Sequence, residues 1–135
     1  DHAAVITADG RVVCWGSNKH HRCDVPAELS TESVVAISCG TTHTAAMTAD
    51  GRVVCWGENR EGCCDVPPGL CNVVAVSCGS NLTGALTQEG RVICWGDNQG
   101  GQCKIPSDME NVVSISCYRG TIALTQDGRV YCWGT

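Results

Sequence analysis

Apolar and polar positions alternate along this chain in short runs, and the runs return. Val34 to Cys39 reads Val-Val-Ala-Ile-Ser-Cys, Thr44 to Thr48 reads Thr-Ala-Ala-Met-Thr, and Arg52 to Trp56 reads Arg-Val-Val-Cys-Trp. Each has strand length, is rich in β-branched or small apolar residues, and is bounded by Gly, Asp, Asn or Thr, so three strands are predicted here. Asp50-Gly51 joins the second to the third and favours the positive φ angles of a tight hairpin turn. Pro26, Pro67 and Pro106 fall outside the predicted strands, where a missing N–H does no harm.

The pattern is periodic. Cys-Trp-Gly begins at Cys14, Cys55, Cys94 and Cys132, so Trp15, Trp56, Trp95 and Trp133 are 41, 39 and 38 positions apart. An acidic residue, Gly, Arg and Val precede each Trp, the glycines being Gly10, Gly51, Gly90 and Gly128. Ser-Cys recurs at Cys39, Cys78 and Cys117, and a third cysteine series, Cys23, Cys64 and Cys103, lies just before a Val-Pro or Ile-Pro. The chain reads as a single repeat domain with units of approximately 1–33, 34–72, 73–111 and 112–135.

The faces of the strands choose the architecture. Val53 and Cys55 point one way while Val54 and Trp56 point the other; Val35, Ile37 and Cys39 likewise oppose Val34, Ala36 and Ser38. Both faces are largely apolar, so each small sheet is covered on both sides, unlike a sandwich with one wet face. Small sheets repeated at fixed spacing and buried on both faces describe all-β propeller blades. The small residues Ser38, Cys39, Gly40, Thr44, Ala45 and Ala46 suit a crowded place near the central axis.

Composition adds bounds. With 135 residues, 43% hydrophobic and 17% charged, a single packed domain is expected. There is no Phe, and only two Tyr and four Trp, so aliphatic residues and twelve Cys must fill the core. A net charge of -5 without a basic run argues against direct nucleic-acid binding. No stretch approaches the roughly 18 apolar residues of a membrane span, and nothing near Asp1 has the layout of a signal peptide, which favours the cytoplasm. Asp1 is not an initiator Met, so a cut or processed end is expected there.

The string SCGxxHTAAMTxDGRVxCWGxN, with GGQCKIP at Gly100 to Pro106, resembles the regulator-of-chromosome-condensation repeat along essentially the whole chain. The short period and the Val-Pro or Ile-Pro look most like the compact branch of that family, which includes a secreted bacterial β-lactamase inhibitor. Other members are exchange factors for a small GTPase, propellers attached to HECT ubiquitin ligases and a plant ultraviolet-B photoreceptor. The resemblance implies a seven-bladed propeller, which at this period needs roughly 270 residues. Four hairpins but three first strands are present, so the expectation is a fragment: an open arc of about three complete blades and one incomplete blade. Its apolar end faces then favour continuation in a parent chain or self-association, with a closed four-bladed ring as the weaker alternative.

Repeated residues are read as scaffold. Trp15, Trp56, Trp95 and Trp133 are expected to fill the spaces between blades. Light sensing is disfavoured, because Thr42 and Asn81 stand where the photoreceptor carries an extra Trp. His43 and His2 match the family's structural histidine, which serves blade packing. Ten cysteines sit at repeat positions and read as small buried hydrophobes, mostly reduced. Cys39 and Cys55 lie on strands separated by a third, too far apart to bridge, whereas Cys64 and Cys71, the latter with Cys63 outside the pattern, could close a loop in an oxidising compartment. His20, His21 and Cys23 form the one local group resembling metal ligands, read here as a variable surface loop with no metal. Asn81-Leu82-Thr83 is a glycosylation sequon, of consequence only in a secreted protein. No nucleophile elbow, phosphate loop or paired carboxylates stand out, so neither enzyme chemistry nor a cofactor is expected.

Function is then sought where the copies differ, in loops that vary without disturbing the blades. The candidates are Lys19, His20, Arg60, Glu61 and Gln99 after each Trp-Gly, and Thr41, Thr42, Ser80, Asn81, Tyr118 and Arg119 after each Ser-Cys. In the lactamase inhibitor the latter positions are rich in aromatic anchors; here only Tyr118 is aromatic, which argues for a different partner. The expected function is a non-catalytic protein-binding module, its partner not identified by the sequence. The alternatives are nucleotide exchange on a small GTPase, or service as the substrate or regulatory propeller of a HECT-type ligase.

Overall fold

A computed structural model describes residues 1–135 and contains eleven strands in four antiparallel sheets. The first sheet pairs β1 (His2–Ile6) with β2 (Val12–Gly16). The second is the meander β3 (Val34–Cys39), β4 (His43–Thr48) and β5 (Val53–Gly57). The third repeats it with β6 (Val73–Cys78), β7 (Leu82–Thr87) and β8 (Val92–Gly96), and the fourth with β9 (Val112–Cys117), β10 (Thr121–Thr125) and β11 (Val130–Trp133). The predicted strands form, with β4 starting one residue earlier and β5 shifted by one.

The turn differs from a two-residue hairpin. The Gly51 N–H donates to the Thr48 carbonyl at 3.0 Å and the Thr48 N–H to that of Arg52 at 2.9 Å, so Ala49-Asp50 forms the turn. Gly51 alone takes the left-handed φ, +82°, as the bulge residue after a type I turn. The Thr48 hydroxyl donates to the Asp50 carboxylate and accepts the Arg52 N–H at 3.2 Å, which explains the Thr-x-Asp-Gly signature.

A second difference lies in β3. Val34 pairs with Thr48 and Ala36 with Met47, leaving Val35 as a bulge residue. The expected alternation therefore breaks: Val34 joins Ile37 against the first sheet, while Ala36 packs toward the third. Val35 is left exposed, and β6 repeats the bulge at Val74.

The core is divided among the spaces between sheets. Leu29, Val34, Ala46 and Trp56 meet Ile6, Val12 and Cys14 between the first and second. Ala45, Met47, Val53, Val73, Ala85 and Trp95 fill the next space, and Leu86, Val92, Val112 and Ala123 fill the last, with Trp133 against them. Each sheet is thus a blade packed on its neighbours. β3 touches β6, and β6 touches β9, so the first strands line the inner edge. There a Cβ on Gly40 would overlap the Gly79 carbonyl oxygen, so Gly40 meets the expected crowding, whereas Ala45 and Ala46 lie on the middle strand in the spaces between blades.

The arc is open, which excludes the four-bladed ring. At one end Val5, Val13 and Trp15 are exposed, and at the other Ile122, Leu124 and Val130. Trp15 departs from its expected core position and is 52% exposed, because each Trp packs against the preceding blade and Trp15 has none before it.

Candidate protein-binding face

The register fixes where the variable loops lie. Thr44 pairs with both Cys39 and Trp56, so the loop leaving β3, the start of β4 and the loop leaving β5 share one end of the blade. Thr41 and Thr42 therefore stand on the same face as Arg60 and Glu61, and the repeat places Lys19, His20, Ser80, Asn81, Gln99, Tyr118 and Arg119 there too. The hairpin turns with Gly10, Gly51, Gly90 and Gly128 occupy the opposite face.

On the candidate face the post-strand loops are stitched into a row. The Thr41 N–H donates to the Gly79 carbonyl at 3.2 Å, and the Ser80 N–H to that of Tyr118 at 2.9 Å. Thr41 and Ser80 hydroxyls are 3.5 Å apart. At the end of the row Tyr118 is 66% exposed, with the Arg119 guanidinium 6.0 Å from its ring centre. A shallow cavity beside it is lined by Ser80, Asn81, Asp97, Gln102 and Arg119. Thr42 fits less well, since its hydroxyl is buried and unpartnered.

The second row consists of short 3-10 turns, Lys19–His21 and Arg60–Gly62. Lys19, His20, Arg60, Glu61 and Gln99 are all exposed. His20, His21 and Glu61 hold left-handed φ angles of 59°, 60° and 58°, unusual for residues with side chains. The turns are braced from below by an asparagine in each copy: Asn18, Asn59 and Asn98 accept the N–H of Cys23, Cys64 and Cys103. His20, His21 and Cys23 do not converge. His20 faces Glu58 at 3.7 Å, His21 bonds Asp24 at 2.7 Å, and the Cys23 thiol donates to the Ser17 carbonyl. Asn18 and His21 together hold the Asp24 carboxyl below its ordinary value.

Beneath the face, polar groups join neighbouring blades. His2 Nε2 lies 2.8 Å from the Thr44 hydroxyl, and His43 Nε2 2.8 Å from that of Thr83. Those hydroxyls donate onward to the carbonyls of Arg22 and Cys63, so both imidazoles are the donors. Burial, then the Arg22 charge, lowers the pKa of His2, favouring that neutral form. Trp56 and Trp133 donate Nε1–H to the carbonyls of Arg22 and Gln102, whereas buried Trp95 Nε1 has no partner. Thr83 is fully buried in this network, which sequesters the hydroxyl of the sequon.

Sequence reasoning missed Arg22 and Gln102. They occupy one repeat position, filled by Cys63 in the middle copy, and both are buried. Arg22 donates to the carbonyls of Ser17 at 2.8 Å and Thr41 at 2.6 Å, tying the two loop rows together. A signal was present, since this is the variable position just before an invariably placed cysteine. Cys63 and Cys64 both aim their thiols at the Glu58 carbonyl. The neighbouring Cys64 thiol, then His43, lowers the pKa of Cys63.

A family model for the regulator of chromosome condensation (RCC1) repeat matches residues 1–22, 34–63, 73–102 and 112–135. The chain belongs to this family. Among solved structures, Prp20p from Saccharomyces cerevisiae is similar over 98% of this chain and 41% of its own, at 21% identity and a TM-score of 0.79; it was described with its binding to Gsp1p and histones. Human WBSCR16 gives 20% identity over 98% and 44%, with a TM-score of 0.81. The ectodomain of the Physcomitrella patens receptor kinase CR4 gives 25% identity over 98% and 38%, with a TM-score of 0.80. This chain therefore spans about two fifths of each of these proteins. No curated protein matches it.

Proposed function

We propose that this RCC1-type arc is a non-catalytic protein-binding module whose partner is read by the face that carries both loop rows. The observation that carries this reading is the Tyr118–Arg119 pair, an exposed aromatic and a cation at the end of a row of backbone-bonded loops. Aromatic residues and arginine are the side chains most often found as interface anchors. The Arg60, Glu61, Lys19 and Gln99 side chains form the polar rim that would select among partners. A test is capture of binding proteins with the intact chain, followed by quantitative binding of each captured protein to the Tyr118→Ala and Arg119→Ala variants. Loss of roughly tenfold or more in affinity is expected for an anchor of about 2 kcal/mol; unchanged affinity would reject this face as the binding surface.

Nucleotide exchange on a small GTPase is a second reading, motivated by the likeness to Prp20p. It is ranked lower because the repeat units differ by only a few residues in length and carry no long insertion to act as a wedge. Acceleration of labelled GDP release from a panel of small GTPases would promote it. The HECT-ligase reading rests on family resemblance alone, and its chemistry would reside outside these residues.

A further inference from the structure

At each of the three blade interfaces a third-strand cysteine lies within electrostatic reach of a first-strand cysteine of the next blade: Cys14 of Cys39, Cys55 of Cys78, and Cys94 of Cys117. Beside each third-strand cysteine, its register partner on the middle strand is Ala4, Ala45 or Gly84. Ala4 and Ala45 carry a methyl there, and Gly84 carries none. A Cβ built on Gly84 would lie 2.7 Å from Cys117 Sγ and 3.7 Å from Cys94 Sγ, so both sulfurs converge on the place that the methyl takes elsewhere.

A second substitution marks the same interface. In the first two, a histidine on the middle strand holds the threonine of the next blade, His2 with Thr44 and His43 with Thr83. In the third, Leu82 stands in place of the histidine, and Thr121 Oγ1 instead lies 3.8 Å from Cys94 Sγ. The nearness of the two sulfurs favours ionisation of Cys117 and opposes that of Cys94; the Thr121 and Ser77 hydroxyls also help the Cys117 sulfur carry charge. Cys94 is partly open to solvent while Cys117 is buried.

We propose that Cys94 and Cys117 are an oxidation site, at which a small peroxide closes a reversible disulfide between the third and fourth blades. The Cys117 thiolate attacks one peroxide oxygen, the O–O bond breaks, and the departing hydroxide takes up the thiol's proton as water, leaving a sulfenic acid. The Cys94 sulfur then attacks the sulfenic sulfur; the S–O bond breaks, a second water leaves with the Cys94 proton, and the S–S bond forms. Two thiols lose two electrons in all and one peroxide gains them. Bridging across packed sheets has a precedent in the inter-sheet disulfide of immunoglobulin domains.

The experiment treats the 135-residue chain with stoichiometric hydrogen peroxide, alkylates the remaining thiols and maps the peptides without reduction. A Cys94–Cys117 linked peptide that dithiothreitol releases is expected. Gly84→Ala should lower its yield by roughly tenfold, because the new methyl holds the sulfurs outside bonding geometry. Ala45→Gly should create a Cys55–Cys78 link that the unaltered chain lacks. Absence of the Cys94–Cys117 peptide from the unaltered chain overturns the proposal, as does equal yield from folded Gly84→Ala protein. If Gly84→Ala does not fold by tryptophan fluorescence, Ala45→Gly decides, and failure to gain the second link overturns the role given to the glycine.

Discussion

Trp56 and Trp15 occupy the same repeat position on strands of the same sequence, Val-Val-Cys-Trp-Gly, yet Trp56 is 7% exposed and Trp15 is 52% exposed. The strand forms in both places. What differs is the preceding blade: Trp56 has Cys14, Ile6 and Leu29 to cover it, and the Arg22 carbonyl to accept its N–H. Conformation in this chain is thus set within a blade, and burial is set between blades, as in other repeat architectures where each unit contacts only its neighbours.

The largest test of that contrast is truncation of the two tryptophans. Trp56→Ala should cost about 3 to 5 kcal/mol of stability, as for other buried aromatics, while Trp15→Ala should cost under about 1 kcal/mol. Urea unfolding followed by circular dichroism reads both, and equal losses would break the comparison. Next come the threonines of the inter-blade bridges. Thr83→Val removes the acceptor of His43 and the donor to the Cys63 carbonyl, and should destabilise by about 1 to 3 kcal/mol. Thr121→Val, at the interface where Leu82 replaces the histidine, should cost about half as much; the same unfolding series would show it.

The hairpin turns give a smaller effect. Gly51 and Gly128 share left-handed φ angles of +82° and +87°, but a Cβ on Gly51 would lie 3.1 Å from the Asn72 nitrogen, whereas one on Gly128 would meet nothing within 4 Å. Gly128→Ala should therefore cost only the conformational penalty of about 1 kcal/mol, and Gly51→Ala measurably more in thermal melts. The smallest effect is pH. The pKa of His2 is lowered by burial, so the folded state favours the neutral ring; its contribution is complete above the ordinary histidine value near 6.5 and is lost as pH falls through the lowered one. Melting temperature should decline as pH falls below about 6.5, and less so in His2→Gln, whose amide can still donate to Thr44.

Much of the architecture was legible in the sequence, for local reasons. Val34–Cys39 and its neighbours read as strands from alternation and β-branched residues, and Asp50-Gly51 read as a turn because the left-handed conformation there needs glycine. The bulge at Val35 was not legible. It arises from fitting β3 to β4, and it moves Val34 to the other face of the sheet. At the candidate face, the variability of Lys19, Arg60, Gln99 and Tyr118 against a constant scaffold was enough to nominate loops. That Arg22 would be a buried tie between the two loop rows was hidden, since a charged side chain in a variable loop gives no hint that neighbouring carbonyls await it.

By itself the sequence determined the unit: its period, its strands, its turns and its membership of a repeat family, because each follows from short-range sterics and from side chains that recur in register. Tertiary structure alone decided which copies of an identical residue are buried, which thiols meet, and which loops become neighbours. Those outcomes depend on what the adjacent blade presents. The methyl of Ala45 and the bare backbone of Gly84 differ by one carbon in sequence, but only packed against the next blade does that carbon compete with a sulfur for space, since a Cβ on Gly84 would lie 2.7 Å from Cys117 Sγ.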